Sequence, residues 1–122
     1  MAWSKIAICA NIDTPLAVVD GRFGRCAYFL LWDEAQRKLE SLVNNGLGLK
    51  QGAGTGAVQE LLRRGVGILI CNRIGPNALT VFQKAGGMVY AAEEGMPIDM
   101  VIDRYEDGEL IPINTPNHKA GD

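Results

Sequence analysis

The stretch Val66–Ala92, VGILICNRIGPNALTVFQKAGGMVYAA, decides the fold. VGILIC is a continuous apolar run of strand length, suited to a strand buried on both faces. NRIGPNALTVFQKAGG then opens a helix on Gly75 and Pro76, where a missing N–H costs nothing, and closes it on Gly86 and Gly87. Ala78, Leu79, Phe82 and Ala85 form its predicted buried stripe. MVYAA returns as another strand. Strand, helix and strand joined in this way imply a right-handed crossover, hence parallel strands in a sheet covered by helices.

Working outward, GLGLKQGAGTGAVQELLRRG (46–65) runs from a glycine-rich loop into a helix predicted from about Thr55 to Arg64. Val58, Leu61 and Leu62 carry its apolar spacing, and Gly65 is its stop. Earlier, KIAICA (5–10) is a β-branched, apolar strand, followed by the long Pro- and Gly-punctuated loop NIDTPLAVVDGRFGR (11–25). CAYFLLWD (26–33) and LESLVNN (39–45), joined by a polar turn, read as an antiparallel hairpin. MPIDMVIDRY (96–105) is a last short helix with Ile98, Val101, Ile102 and Tyr105 on one face, and PINTPNHKAGD (112–122) reads as a frayed tail. The expected fold class is therefore α/β, a three-layer α/β/α sandwich around a five-stranded mixed sheet. Residues 1–112 form one domain and 113–122 a flexible tail.

A chain of 122 residues suffices for a single core. A formal charge of −2 argues against nucleic acid as a partner, since that affinity needs many clustered Lys and Arg contacts. No window approaches the roughly 20 apolar residues that span a bilayer. No membrane association is expected, and the location reads as cytoplasmic. Cys9, Cys26 and Cys71 are odd in number and form no CxxC pair, so they read as thiols rather than a disulfide framework or zinc knuckle.

In a sheet of this kind, ligands bind at the carboxyl ends of the parallel strands. The loop holding Arg22, Phe23, Gly24 and Arg25, the loop after Cys71, and the glycine-rich helix start converge there. Arginine forks suit oxyanions, and a helix start offers free N–H groups and the positive pole of its dipole. GAGTGA (52–57) fits GxGxxG/A, but no acidic residue for a ribose hydroxyl follows about 20 positions on, and the Lys of a Walker loop is absent, so a dinucleotide fingerprint is disfavoured. Turn and packing needs of glycine weigh about evenly against anion contact for Gly52, Gly54, Thr55 and Gly56. Asn72, Arg73, Gly75, Pro76 and Asn77 supply a second helix start, with ordinary capping as the plain alternative. Cys9, Cys26 and Cys71 are candidate ligands for a soft metal, weighed against ordinary core packing. The single histidine, His118, falls in the tail, and no catalytic triad or metal-protease motif is present, which argues against an enzyme.

Taken together, IAICANID (6–13), VVDGRFGRCAYFLLWD (18–33), GAGTGAVQELLRRGV (52–66) and ILICNRIGPNALTVFQKAGGMVY (68–90) resemble the dinitrogenase iron–molybdenum cofactor biosynthesis family, the NifX/NafY-like proteins and the C-terminal domain of NifB. The resemblance runs from about Lys5 to Leu110. It implies a ribonuclease-H-like fold and a non-catalytic carrier or assembly role for an anionic metal–sulfur cluster, an iron–sulfur or iron–molybdenum cofactor precursor. No cofactor is expected to be needed for folding. Phe23, Gly24 and Arg25 match the family's FGR loop, Gly52, Gly54 and Gly56 its glycine-rich loop, and Gly75, Pro76, Asn77 and Ala78 its GPNA turn. Other cofactor-assembly proteins are the implied partners, the chain itself being a monomer or weak homo-oligomer; many members are stand-alone proteins of anaerobes. Two departures stand out: Cys9 where proline is frequent and Cys26 where a small residue is expected. The alternative is a binding module for a small anionic metabolite or nucleotide. A hydrolase would need a carboxylate cluster at neighbouring strand ends, which the sequence does not supply.

Overall fold

The computed structural model describes residues 5–21, 23–44 and 53–117, with 53–55 by their backbone alone. Its strands are β1 (Lys5–Ala10), β2 (Tyr28–Asp33), β3 (Lys38–Val43), β4 (Val66–Cys71), β5 (Met88–Ala91) and β6 (Ile111–Pro112). The helices are α1 (Ala53–Arg63), α2 (Pro76–Lys84) and α3 (Ile98–Glu106). The strands form one sheet in the order β3-β2-β1-β4-β5-β6. β1, β4 and β5 run parallel, with Ile8 opposite Ile70 and Leu69 opposite Val89. β2 lies antiparallel to β1, and β3 to β2.

Side chains alternate across a strand, so the uninterrupted apolar run of β1 feeds two cores at once. Ala7 and Cys9 point to one face with Phe29, Leu31, Leu69 and Cys71, where Val58 and Leu61 of α1 and Leu79 and Phe82 of α2 cover them. Ile6, Ile8 and Ala10 point to the other with Leu30 and Ile70, under Ile98 and Val101 of α3. The result is a mixed α/β fold in three layers, with α1 and α2 on one face of the sheet and α3 on the other.

Four details differ from the sequence reading. The sheet has six strands, not five: β6 pairs antiparallel with β5 through Tyr90–Pro112 and Ala91–Ile111. A two-residue strand has no periodicity to detect, and its proline is tolerated because it lies at the sheet edge. The segment read as a frayed tail is held as far as residue 117. Ile113 is buried and donates its N–H to the Val89 carbonyl at 2.8 Å, and Asn117 bonds to the loop after β4. Next, α1 begins at Ala53, so Gly54 and Gly56 lie inside the helix rather than in a loop before it. Each helical glycine costs about 1 kcal/mol relative to alanine, an amount that packing of Ala57, Val58 and Leu61 outweighs. Lastly, Ala85 is the exposed C-cap of α2 rather than part of its buried stripe.

Candidate functional site

Topology brings several chain segments to one edge. β1, β4 and β5 end there, β3 runs in the same sense as β1, and α1, α2 and α3 each start after a strand that ends at this edge. The long loop after β1 is stitched across it. Ile98 donates its N–H to Ala17 O at 3.2 Å, Val19 to Met96 O at 2.9 Å and Gly95 to Val19 O at 2.9 Å, tying the loop to the start of α3. Arg73 then donates to Gly21 O at 3.0 Å, and Phe23 to Arg73 O at 2.8 Å. This reciprocal pair fastens the FGR loop directly to the turn that begins α2.

Within the FGR loop, Phe23 is the anchor: its ring is fully buried, 5.5 Å from that of Phe29. Gly24 has φ of 90°, a left-handed conformation that L side chains rarely adopt. Arg25 follows, half-buried. Asn44, at the end of β3 and only 5% exposed, donates both amide hydrogens to the loop, to Gly24 O at 3.0 Å and Cys26 O at 2.9 Å. The carbonyls on either side of Arg25 are thus held by one side chain.

The turn into α2 has a similar clamp. Asn117 accepts the Ile74 N–H at 2.7 Å through its side-chain oxygen and donates to Asn72 O at 3.1 Å and, from its backbone, to Ile74 O at 3.2 Å. Asn72 donates its amide to Ala92 O at 3.0 Å, so it ties two loops together. Gly75 is the N-cap of α2 and makes no side-chain cap, Pro76 follows it, and Asn77 is exposed.

Charge is unevenly distributed along this edge. Neither α1 nor α2 has an acidic residue in its first turn, whereas α3 has Asp99, whose carboxylate accepts the Met100 N–H at 2.8 Å. The positive poles of α1 and α2 are therefore uncompensated by their own side chains, on the face that also carries the FGR loop. Arg25 and the exposed Arg73 add positive charge. Negative charge is also present at this junction: the Asp20 carboxylate accepts the Gly21 N–H at 2.9 Å and the Glu94 carboxylate sits against Gly21, while Glu93 lies in the segment leading to α3.

Of the predicted site residues, Phe23, Gly24, Arg25, Asn72, Arg73, Gly75, Pro76 and Asn77 come together at this edge. Gly54, Thr55 and Gly56 lie in the opening turns of α1, which starts from the same edge. Arg22 and Gly52 lie outside the described residues, as does His118. The cysteines do meet, but in the core rather than at the mouth. All three are fully buried in one core under α1 and α2, where Cys26 and Cys71 neighbour the Cys9 thiol. Burial, then these neighbouring thiols, pushes the Cys9 thiol well above its ordinary range, which favours the neutral form. Among the described residues, no group of three or more His, Cys, Asp or Glu is placed to hold a metal ion. The readily reached donors are main-chain amides and arginines, a set that suits an anion rather than a bare cation. The sequence reading missed both clamping residues. Asn44 carried a faint signal, a buried-type position filled by a polar amide at a strand end; Asn117, in a polar tail, carried none.

Comparison with known proteins bears on the family and the fold. The sequence profile of the family described as "Dinitrogenase iron-molybdenum cofactor" matches residues 4–108. An uncharacterized protein of Methanocaldococcus jannaschii is 33% identical over 94 residues, covering 72% of this chain and 76% of its own. The apo form of the orange protein from Desulfovibrio gigas superposes with a TM-score of 0.90 at 33% identity, covering 95% of this chain and 98% of that one. A candidate NifB protein from Thermotoga superposes with a TM-score of 0.82 at 30% identity over 94% and 97% of the two chains. Because the matched profile covers residues 4–108, the FGR loop and the starts of α1 and α2 included, the chain belongs to the dinitrogenase iron–molybdenum cofactor family.

Proposed function

We propose that the protein is a non-catalytic carrier or assembly protein for an anionic metal–sulfur cluster, an iron–sulfur or iron–molybdenum cofactor precursor, taken as cargo at the carboxyl edge of the parallel strands. One observation carries this reading: the reciprocal hydrogen bonds between Gly21, Phe23 and Arg73 join the FGR loop to the start of α2. On this reading Arg25 and the first-turn amides of α2, about fifty residues apart in the chain, act on one cargo, which the joining of their segments supports. A cluster with sulfide at its surface accepts hydrogen bonds from such donors without any covalent ligand from the protein. The buried thiols leave the donors, rather than the cysteines, as the holding groups. The strand order, with β2 antiparallel, supports a ribonuclease-H-like reading of the architecture. The family also supports a setting among other cofactor-assembly proteins in the cytoplasm.

Anaerobic reconstitution tests the proposal. The purified chain is incubated with iron and sulfide or with an isolated cluster, desalted, and its visible absorption and metal content are recorded. The wild type and Cys26→Ser should both retain stoichiometric colour. Arg25→Ala should bind about 5- to 150-fold more weakly, as expected for loss of a charge-assisted hydrogen bond worth about 1–3 kcal/mol. Retention of phosphate or a nucleotide with no retained metal would instead assign the site to a small anionic metabolite.

A further inference from the structure

A concave site lies on the α3 face of the sheet, whereas Phe23 of the FGR loop packs on the other face. Here the C-terminus of α3 overhangs the sheet near the turn between β2 and β3, leaving an open cleft of about 450 Å³. Tyr90 and Tyr105 meet edge to face in it, their ring centroids 5.6 Å apart. Glu34 and Glu106 supply carboxylates, and Gly108 and Leu110 complete the lining. Aromatic faces carry negative quadrupole density, and the carboxyl end of a helix is the negative pole of its dipole. Residues 103–109, DREDGE without its tyrosine, hold four acids against the single Arg104. These contributions share one sign.

The rim shows the same preference internally. Arg37 stands at a strained turn position with φ of 53°, places its guanidinium 4.9 Å from the Trp32 ring centroid, and pairs with Glu106 at 2.7 Å. A cation stacked on an aromatic ring and paired with a carboxylate is therefore already accommodated beside the cleft, while no ion pair to Glu34 is found among the described residues. The Tyr105 hydroxyl is held above the usual phenol range, first by burial and then by Glu34, Tyr90 and Glu106, consistent with a negative potential. Among the described residues the cleft is lined by two carboxylates and two tyrosines, a set that suits an organic cation better than a bare metal ion.

We infer that this cleft binds an organic cation, an alkylammonium or alkylguanidinium group, between the tyrosine rings and the Glu34 and Glu106 carboxylates. The same chemistry is offered by a free diamine and by the arginine or lysine side chain of a protein partner. The inference does not depend on the cluster-carrying reading, because the two sites share no residue.

The test is a titration of the isotope-labelled 122-residue chain followed by NMR, with 1,4-diaminobutane, an arginine tripeptide with blocked ends, and butyrate as the anionic control. Both cations should move the Tyr90 and Tyr105 ring signals saturably, with a dissociation constant of about 1–10 mM. The tighter of the two identifies the source. Glu34→Gln combined with Glu106→Gln should weaken binding about tenfold, and Arg37→Gln, which removes the internal competitor, should strengthen it about threefold. The inference fails if neither cation gives a saturable shift up to about 50 mM, if butyrate acts equally, or if the double variant binds like the wild type.

Discussion

At the scale of single residues, Gly24 and Asn44 set the shape of the site. Gly24 sits at φ of 90°, so Gly24→Ala would force a Cβ into a disfavoured region and should cost about 1–2 kcal/mol in urea unfolding. Asn44→Asp replaces an amide donor with a carboxylate facing the Gly24 and Cys26 carbonyl oxygens. It should destabilise the fold by about 2–3 kcal/mol, more than Asn44→Ala, because repulsion is added to the lost bonds. An Asn44→Asp protein as stable as the wild type would show that these bonds do not hold the loop. The two positions differed in legibility. FGR announced its glycine and arginine through residue type, whereas the role of Asn44 depends on the strand pairing that brings it within 3.0 Å of a loop twenty residues earlier.

At the scale of elements, the contrast lies between segments whose pattern repeats and segments fixed by a few distant contacts. The apolar runs of β1 and β4 and the spacing of Leu79 and Phe82 in α2 were readable because their periodicity follows from burial. The start of α1 was misplaced because local glycine propensity favoured a loop, while packing of Val58 and Leu61 extends the helix back to Ala53. β6 and the bonds of Asn117 left no pattern at all. Those bonds give a direct prediction: Asn117→Ala removes the acceptor of the Ile74 N–H, so the Ile74 amide should exchange with solvent faster while amides in the middle of β1 keep their protection. The expected loss of stability is about 1 kcal/mol. Unchanged Ile74 exchange would mean that the segment after β6 does not brace the start of α2.

Across the whole molecule, the two cores differ in chemistry, and one of them titrates. Cys9 is protonated in the folded chain well above the ordinary thiol range, whereas in the unfolded chain its thiol ionises near pH ~8.5. Its contribution to stability is therefore fully present below that value and falls as the pH rises through it toward the folded value, because the folded state then holds the extra proton. Urea unfolding between about pH 8 and 10 should show stability declining by at most about 1.4 kcal/mol per pH unit from this group, with a shallower decline in Cys9→Ala. Tyr105 adds a decline of the same sign above about pH 10, so the comparison is read below that value. Equal slopes would show that the buried thiol is not responsible. The sequence revealed the parallel sheet and the edge where its loops gather, since both follow from strand and helix order. It left the cysteines open between core packing and a place at the mouth; strand register puts Cys9 and Cys71 on the face under α1 and α2, and Cys26, just before β2, joins the same core.

Carriage of a cluster requires the FGR loop and the uncapped start of α2 to act as a single receptor for a negatively charged metal sulfide. The most direct measurement is an amide-resolved NMR titration under anaerobic conditions with tetrathiomolybdate, a diamagnetic anion with sulfide at its surface. The amides of Phe23, Gly24, Arg25, Arg73, Asn77 and Ala78 should shift together along one binding curve, and Arg25→Ala should move that curve as a whole to weaker binding. Shifts confined to one of the two segments, or centred elsewhere on the molecule, would contradict it.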